Sequence, residues 1–134
     1  MMRRRTVEPE LPEEIVRFIL NRIDSVPHME ALLLLWETPE KAWTEAEIAA
    51  RVYVSVDVAR VILQDLVGRK LAAVRAESGA GYRYDSAWDP TGEEMAAVAR
   101  TYRQQLVRVA SLIHSKGSPA LRDFARAFQF KSGK

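Results

Sequence analysis

The sequence predicts a mainly α-helical fold that carries one two-stranded β-hairpin. Apolar residues recur at helical spacing over most of the 134 residues, and residues 71–85 combine strand-forming residues with two glycines. The second observation is the order of the elements over residues 28–87: helix, short strand, helix, tight turn, helix, hairpin. This order is that of a winged helix-turn-helix, with the hairpin as the wing.

Two regions precede the helix-turn-helix. Residues 1–11 mix Arg, Glu and Pro without periodicity, which predicts a flexible arm. Pro12 suits a first helical turn, and the apolar spacing that follows predicts an N-terminal helix within residues 12–27. Residues 28–37 begin the winged unit and are apolar on nearly every side, so we expect other elements to surround this helix.

The helix-turn-helix is predicted directly after a very short strand at residues 41–43. Thr44 and Glu47 have the spacing of a capping box and begin its first helix. Ser55 caps the second helix, which continues to about residue 69. One side of this second helix is apolar and can pack inward. Its inward residues are Ala59, Leu63 and Leu66.

The hairpin and the C-terminal region, residues 88–134, complete the fold prediction. Two glycines in a stretch of small and polar residues separate the strands of the hairpin at residues 71–85. Residues 90–116 then show one helical pattern, which predicts a single helix of about 26 residues, roughly 40 Å long. Gly117 ends this helix, and the apolar spacing beyond it predicts one last helix before the tail.

Composition and charge exclude several classes of function. The chain has no cysteine, which excludes disulfides, a thiolate nucleophile and a cysteine-based zinc site, and this fits a reducing compartment. No apolar run reaches the roughly 20 residues that a membrane span needs, so we expect a cytoplasmic protein with no membrane partner. The net charge of +2 hides an asymmetry. Residues 6–50 hold ten acidic and three basic side chains, whereas residues 51–83 hold three and six.

No catalytic arrangement is predicted, and no cofactor or metal. Paired carboxylates open two of the predicted helices, where they complement the helix dipole. His28 and His114 show no carboxylate at metal-ligand spacing, so we expect capping or surface roles for both. No serine has a plausible base and orienting acid. The sequence therefore favours a binding protein over an enzyme.

The residues of the helix-turn-helix resemble those of bacterial winged-helix regulators. The resemblance lies in Trp43-Thr44-Glu45-Ala46-Glu47-Ile48-Ala49, in Ser55 with Ala59, and in Leu63, Leu66 and Arg69-Lys70-Leu71. With one helix before the winged unit and two after it, residues 12–130 resemble the MarR family in overall architecture. The wing lacks the Asp and Arg pair and the Leu-Thr-x-x-Gly helix start of many MarR members, so PadR-like and other winged-helix regulators are alternatives.

The MarR resemblance implies a dimeric, DNA-binding transcription regulator. In this family the second helix of the motif enters the major groove, the wing reaches a neighbouring groove or the backbone, and the first and last helices interlock two chains. Residues 55–69 are then the recognition helix. The implied DNA contacts are Arg51, Tyr53, Ser55, Arg60, Gln64, Arg69, Lys70, Arg75 and Arg83. The implied dimerisation residues are Ile15, Ile19, Tyr102, Leu106, Val109, Ile113, Phe124 and Phe128.

The outward face of the predicted recognition helix leaves a second function open. Arg60 can pair with guanine and Gln64 with adenine, whereas Val61 offers only a thymine-methyl contact and Asp57 repels phosphate. Solvated side chains that touch no ligand are the plain alternative for Arg60 and Gln64. An adaptor that binds proteins, with little or no sequence-specific DNA binding, is the alternative function, and the acidic residues 6–50 favour it.

A small-molecule effector is a further possibility that the resemblance raises. MarR-like dimers often bind small aromatic molecules between the dimer helices and the winged unit. Four aromatic residues of this chain can line such a pocket, although aromatic residues at these positions are also typical of a core. They are Trp36, Trp43, Trp88 and Tyr102.

Overall fold

A computed structural model describes residues 11–75 and 81–116, which form six α-helices and one two-stranded antiparallel sheet. The elements are α1 (Glu13–Arg22), α2 (Val26–Glu37), α3 (Glu45–Val52), α4 (Val56–Gly68), β1 (Ala72–Arg75), β2 (Gly81–Tyr84), a 3-10 turn (Ser86–Trp88), α5 (Glu93–Gln104) and α6 (Leu106–Ser115). The predicted mainly helical fold with one hairpin is confirmed. The predicted arm, hairpin tip and last helix lie outside the described residues, and no described helix combines the length and apolarity needed to cross a membrane.

Side-chain caps set where the helices of the central unit begin. Ser25 caps α2, and Pro27 occupies the first turn, so this helix begins before the proline and not after it. Thr44 and Glu47 form the predicted capping box at α3, each side chain bonding the other residue's backbone N–H. Ser55 caps α4 in the same manner as Ser25 caps α2. The starts of α3 and α4 depend on neighbouring residues only, which is why the sequence predicts them, whereas the predicted start of α2 at residue 28 is two residues too late.

The hairpin is held against the segment that precedes α3. Val74 of β1 lies opposite Tyr82 of β2, and Trp43 adds a backbone bridge to Tyr82 with N···O distances of 2.7 and 2.8 Å. The very short strand predicted before α3 is therefore a single bridging residue. A Cβ on Gly81 would lie 2.7 Å from the Ala42 Cβ, so this close approach requires glycine.

The apolar core is centred on α2, and every described helix contributes to it. Six of the twelve residues of α2 are buried, as its all-round apolar composition predicts. α4 buries the predicted stripe and adds Ile62. The core therefore places α4 with one side against α2, α3 and β1 and the opposite side in solvent.

The single long helix predicted over residues 90–116 is wrong, because the chain leaves helical geometry at Gln105. This residue has φ −131° and ψ 49°, and it separates α5 from α6. α1 and α2 have only 10 and 12 residues, so a straight helix of about 40 Å would carry part of its apolar stripe past them. After the break, α6 packs against both α1 and α2 and buries Val109 and Ile113.

Most of the implied dimerisation residues lie in the core of the chain itself. Ile15, Ile19, Tyr102, Val109 and Ile113 are all buried without a second copy. In this conformation the chain's own residues cover these five side chains, and their role in a dimer interface stays a prediction. Leu106 is the exception, at 48% exposure beside Val107 at 78%. The sites of Phe124 and Phe128 lie outside the described residues, and dimerisation itself stays a prediction.

Candidate nucleic-acid interface

The solvent-facing side of α4 is the surface on which a recognition role depends. Asp57, Arg60, Val61 and Gln64 are all exposed there, as the position of the inward stripe predicts. The hairpin follows α4 directly, and β1 packs against it. We use the name α4 surface for the exposed residues of α4 together with Tyr53 and Val74.

Arg60 lies in a chain of hydrogen bonds that runs from β2 through α3 to α4. Its Nε donates to Glu45 at 3.2 Å and its Nη1 to Asp57 at 2.9 Å. The Tyr82 hydroxyl donates to the other oxygen of Glu45 at 3.2 Å. The bond to Asp57 and the charge of Glu45 raise the pKa of Arg60, and partial burial with the nearby Glu45 raises the pKa of Tyr82. The charge of Arg60 is therefore matched by two carboxylates.

Three of the implied DNA contacts keep a positive charge that no carboxylate of the described residues neutralises. The Arg51 guanidinium lies 5.5 Å from the centre of the Trp43 ring. Lys70 is exposed directly after α4 with a left-handed φ of 65°. Arg83 donates from Nη2 to the Glu40 carbonyl at 3.2 Å, a bond to a neutral group. Arg51 lies on α3, Lys70 follows α4 and Arg83 lies on β2, and none of the three belongs to the hydrogen-bond chain of Arg60.

Tyr53 and Ser55 form the turn between α3 and α4. Tyr53 ends α3 in the left-handed region at φ 64°, and its side chain is 91% exposed. The Ser55 hydroxyl accepts the Val58 backbone N–H at 3.1 Å, so it is used as a cap while its proton can still be donated. The predicted side-chain contact of Arg75 lies outside what the structure describes.

Exposed apolar side chains concentrate on the same surface. Seven large hydrophobic residues of the described chain are exposed, and five of them belong to the α3–α4 turn, α4 and β1. These five are Tyr53, Val56, Val58, Val61 and Val74. Residues 51–83 hold six basic and three acidic side chains, which predicts a positive surface. The α4 surface is more apolar and less positive than this count predicts. The sequence does contain a sign of this apolar surface, because Val56, Val58 and Val61 lie outside the inward stripe of α4.

A buried histidine cluster joins the N-terminal helices to α4. The expected surface role of His28 is wrong, whereas its position in the capped first turn of α2 agrees with the expected capping role. His28 is 7% exposed, with Nε2 2.8 Å from the Asp65 Oδ2 and Nδ1 2.6 Å from the Ser25 hydroxyl. Asp24 lies 3.9 Å away on the same ring nitrogen. The sequence does show Asp24 four residues before His28. Asp65 comes from a distant part of the chain, which spacing cannot reveal.

The cluster is an ion-pair network more than a metal site. Asp24, His28 and Asp65 have ligand atoms within 4.8 Å of one another. Arg69, however, donates to both Asp24 oxygens at 2.9 and 3.1 Å, and Lys116 lies 3.8 Å from Asp24. Arg69 and Lys116 balance the charges of the two carboxylates, so the cluster offers a divalent ion no net electrostatic attraction. Arg69 also donates to the Asn21 carbonyl, so it anchors α4 to α1 instead of pointing to the α4 surface.

A cleft of about 360 Å³ lies beside α1, and most of its lining residues belong to this helix. Phe18 and Trp88 stack along it with ring centres 5.4 Å apart, and the Arg22 guanidinium covers the Trp88 ring at 5.1 Å. Of the four aromatic residues proposed for an effector, this cleft includes Trp88 alone. Trp43 and Tyr102 are core residues, which supports the core interpretation for both.

No protein-family model, curated protein or solved structure matches this chain. The fold and the α4 surface are therefore the basis on which a function can be proposed.

Proposed function

We propose that this chain is a winged-helix transcription regulator that binds duplex DNA as a dimer, with α4 as recognition helix and the hairpin as wing. The observation that carries the proposal is the placement of α4. Its apolar stripe packs on α2, α3 and β1, its opposite face is exposed, and the hairpin is tied to α3 by the Trp43 bridge. A helix exposed along one face fits the width of the major groove.

The charges around α4 support a modest electrostatic contribution to binding. Among the described residues, Arg51, Lys70 and Arg83 are the predicted DNA contacts whose charge no carboxylate neutralises, so they are available to phosphates, while Arg60 and Gln64 face the bases. Each neutralised phosphate contributes about −0.9 to the slope of log K against log salt, so three cations correspond to a slope of roughly −3 per chain. Two chains bound together would double this slope to about −5, which corresponds to six phosphate contacts.

Fluorescence anisotropy with labelled random-sequence duplexes, measured from low to physiological salt, tests the proposal. The full chain should bind at low salt, and Lys70→Ala should reduce the salt slope by about one. Lys41→Ala is the matched control, because Lys41 lies 3.5 Å from Glu47 and is already paired. Absence of binding at the lowest salt would contradict the proposal, since phosphate neutralisation is strongest there.

A protein-binding adaptor is the second candidate, and the five exposed apolar residues of the α4 surface favour it. Val61→Lys distinguishes the two functions. If α4 enters the groove, a cation at the centre of its exposed face strengthens DNA binding, whereas Ser111→Lys, at an exposed position of α6, adds the same charge without that effect. If α4 instead binds protein, the two variants behave alike towards DNA.

A further inference from the structure

We infer that Arg60 and Asp57 together read a guanine and a neighbouring cytosine, and that Glu45 is the positioning residue that orients Arg60 for this contact. The inference rests on the DNA binding proposed above and adds a base preference to it. It follows from the hydrogen-bond chain on the α4 surface, which the general features of a winged helix do not require.

The geometry of Arg60 leaves its reading edge available. A guanidinium has five N–H donors in a rigid plane, and bidentate pairing with guanine O6 and N7 uses two of them. Glu45 holds Nε at 3.2 Å, and Asp57 takes one donor of Nη1 at 2.9 Å. The second Nη1 proton and the Nη2 group are used by neither carboxylate. Two points of attachment therefore fix the plane of the guanidinium and leave its far edge for a base.

Glu45 and Asp57 differ in exposure, which assigns them different roles. The Glu45 side chain is 26% exposed and is held from behind by the Tyr82 hydroxyl, so it cannot follow a base. The Asp57 side chain is 89% exposed at the first turn of α4, where base contacts of recognition helices concentrate. A carboxylate is the acceptor that suits the cytosine N4 amino group. Asp57 also repels phosphate, so it lowers binding to all sequences while favouring one.

Selection from a random duplex library with the full chain tests the inference. Wild type should enrich sites with a guanine and a cytosine at fixed positions in each half-site. Glu45→Ala should lower discrimination between the selected site and its A·T-substituted form by roughly tenfold or more, with binding to random duplex unchanged or stronger. Glu93→Ala is the matched control, because Glu93 is the first residue of α5 as Glu45 is of α3.

Asp57→Asn gives a second readout that a structural role would not produce. Asparagine pairs with adenine N6 and N7, so the selected base should change from cytosine to adenine at one position while the guanine is kept. Tyr82→Phe frees Glu45 without removing it and should lower discrimination less than Glu45→Ala does.

The outcomes separate this inference from the proposed function. If wild type binds no duplex at low salt, the proposed function is overturned, and the base preference with it. If wild type selects sites that lack the guanine, or if Glu45→Ala keeps full discrimination, the inference alone is overturned. A loss of both random-duplex binding and discrimination in Glu45→Ala would assign Glu45 a purely structural role and also overturn it.

Discussion

The local partners of a charged side chain decide whether it is available to a ligand, and Arg69 is an example. The sequence groups Arg69 with Lys70 as adjacent backbone contacts, yet only Lys70 points to solvent without an acidic partner among the described residues. Arg69 instead pairs with Asp24 and with the Asn21 carbonyl, which join α4 to the end of α1. Adjacent residues thus serve different functions because the left-handed turn at Lys70 separates their directions.

Arg69→Ala should lower the free energy of unfolding by about 1 kcal/mol while leaving the salt slope of DNA binding unchanged. The value is modest because Asp24 and Arg69 are both more than one third exposed, where solvent screens an ion pair. Urea unfolding gives the stability and anisotropy gives the slope. Lys70→Ala serves as the comparison and should show the reverse pattern. A reduced slope with unchanged stability in Arg69→Ala would instead make Arg69 a phosphate contact.

Residue-level features were predictable where the partner is close in sequence. The Thr44–Glu47 capping box and the Ser55 cap follow from a spacing of three residues, and both are confirmed. The Arg60–Asp57 pair has that same spacing, but Glu45 reaches Arg60 across the α3–α4 turn. A pattern read along one helix does not contain this contact. The neutralisation of Arg60 was therefore visible only once α3 and α4 were packed together.

At the scale of elements, the break between α5 and α6 shows where periodicity fails. The spacing from Tyr102 to Leu106 continues the apolar stripe, and Gln105 is neither proline nor glycine, so nothing local predicts an interruption. The break arises because α1 and α2, which these helices cover, are short. Packing against the core outweighs the intrinsic preference of glutamine for a helix.

Gln105→Ser should raise the free energy of unfolding by about 0.5 to 1 kcal/mol. Gln105 precedes α6 and supplies no side-chain cap, so a serine hydroxyl there can bind an N–H group that α6 leaves unpaired. Gln104→Ser is the matched control inside α5 and should lower stability, since serine is a weaker helix former than glutamine. Chemical unfolding of the three proteins gives the comparison. Destabilisation by both substitutions would indicate one continuous helix through residue 105.

At the scale of the whole molecule, the core closes within one chain, and this constrains how two chains can meet. The implied interface residues on α1 and α6 are buried by their own neighbours, so two copies need not interlock in order to fold. An exposed apolar pair remains at the start of α6, formed by Leu106 and Val107. A regulator of two half-sites needs two copies of α4 at a fixed separation. This pair is therefore the surface through which we expect two chains of the proposed dimer to meet.

Replacing Leu106 and Val107 together by glutamate should convert the proposed dimer to a monomer without lowering the unfolding midpoint of the single chain. Both side chains are exposed in one copy, so the new charges meet water in the monomer but would face each other, desolvated, across a two-fold contact. Sedimentation velocity gives the mass, and binding to one half-site against two adjacent half-sites gives the functional consequence. Val74→Glu is the control for the sedimentation measurement alone, because it places a charge on an exposed apolar residue that lies on the α4 surface and not on α6. Wild type that sediments as one chain at all concentrations would contradict dimerisation, and a double variant that keeps the mass of two chains would place the interface elsewhere.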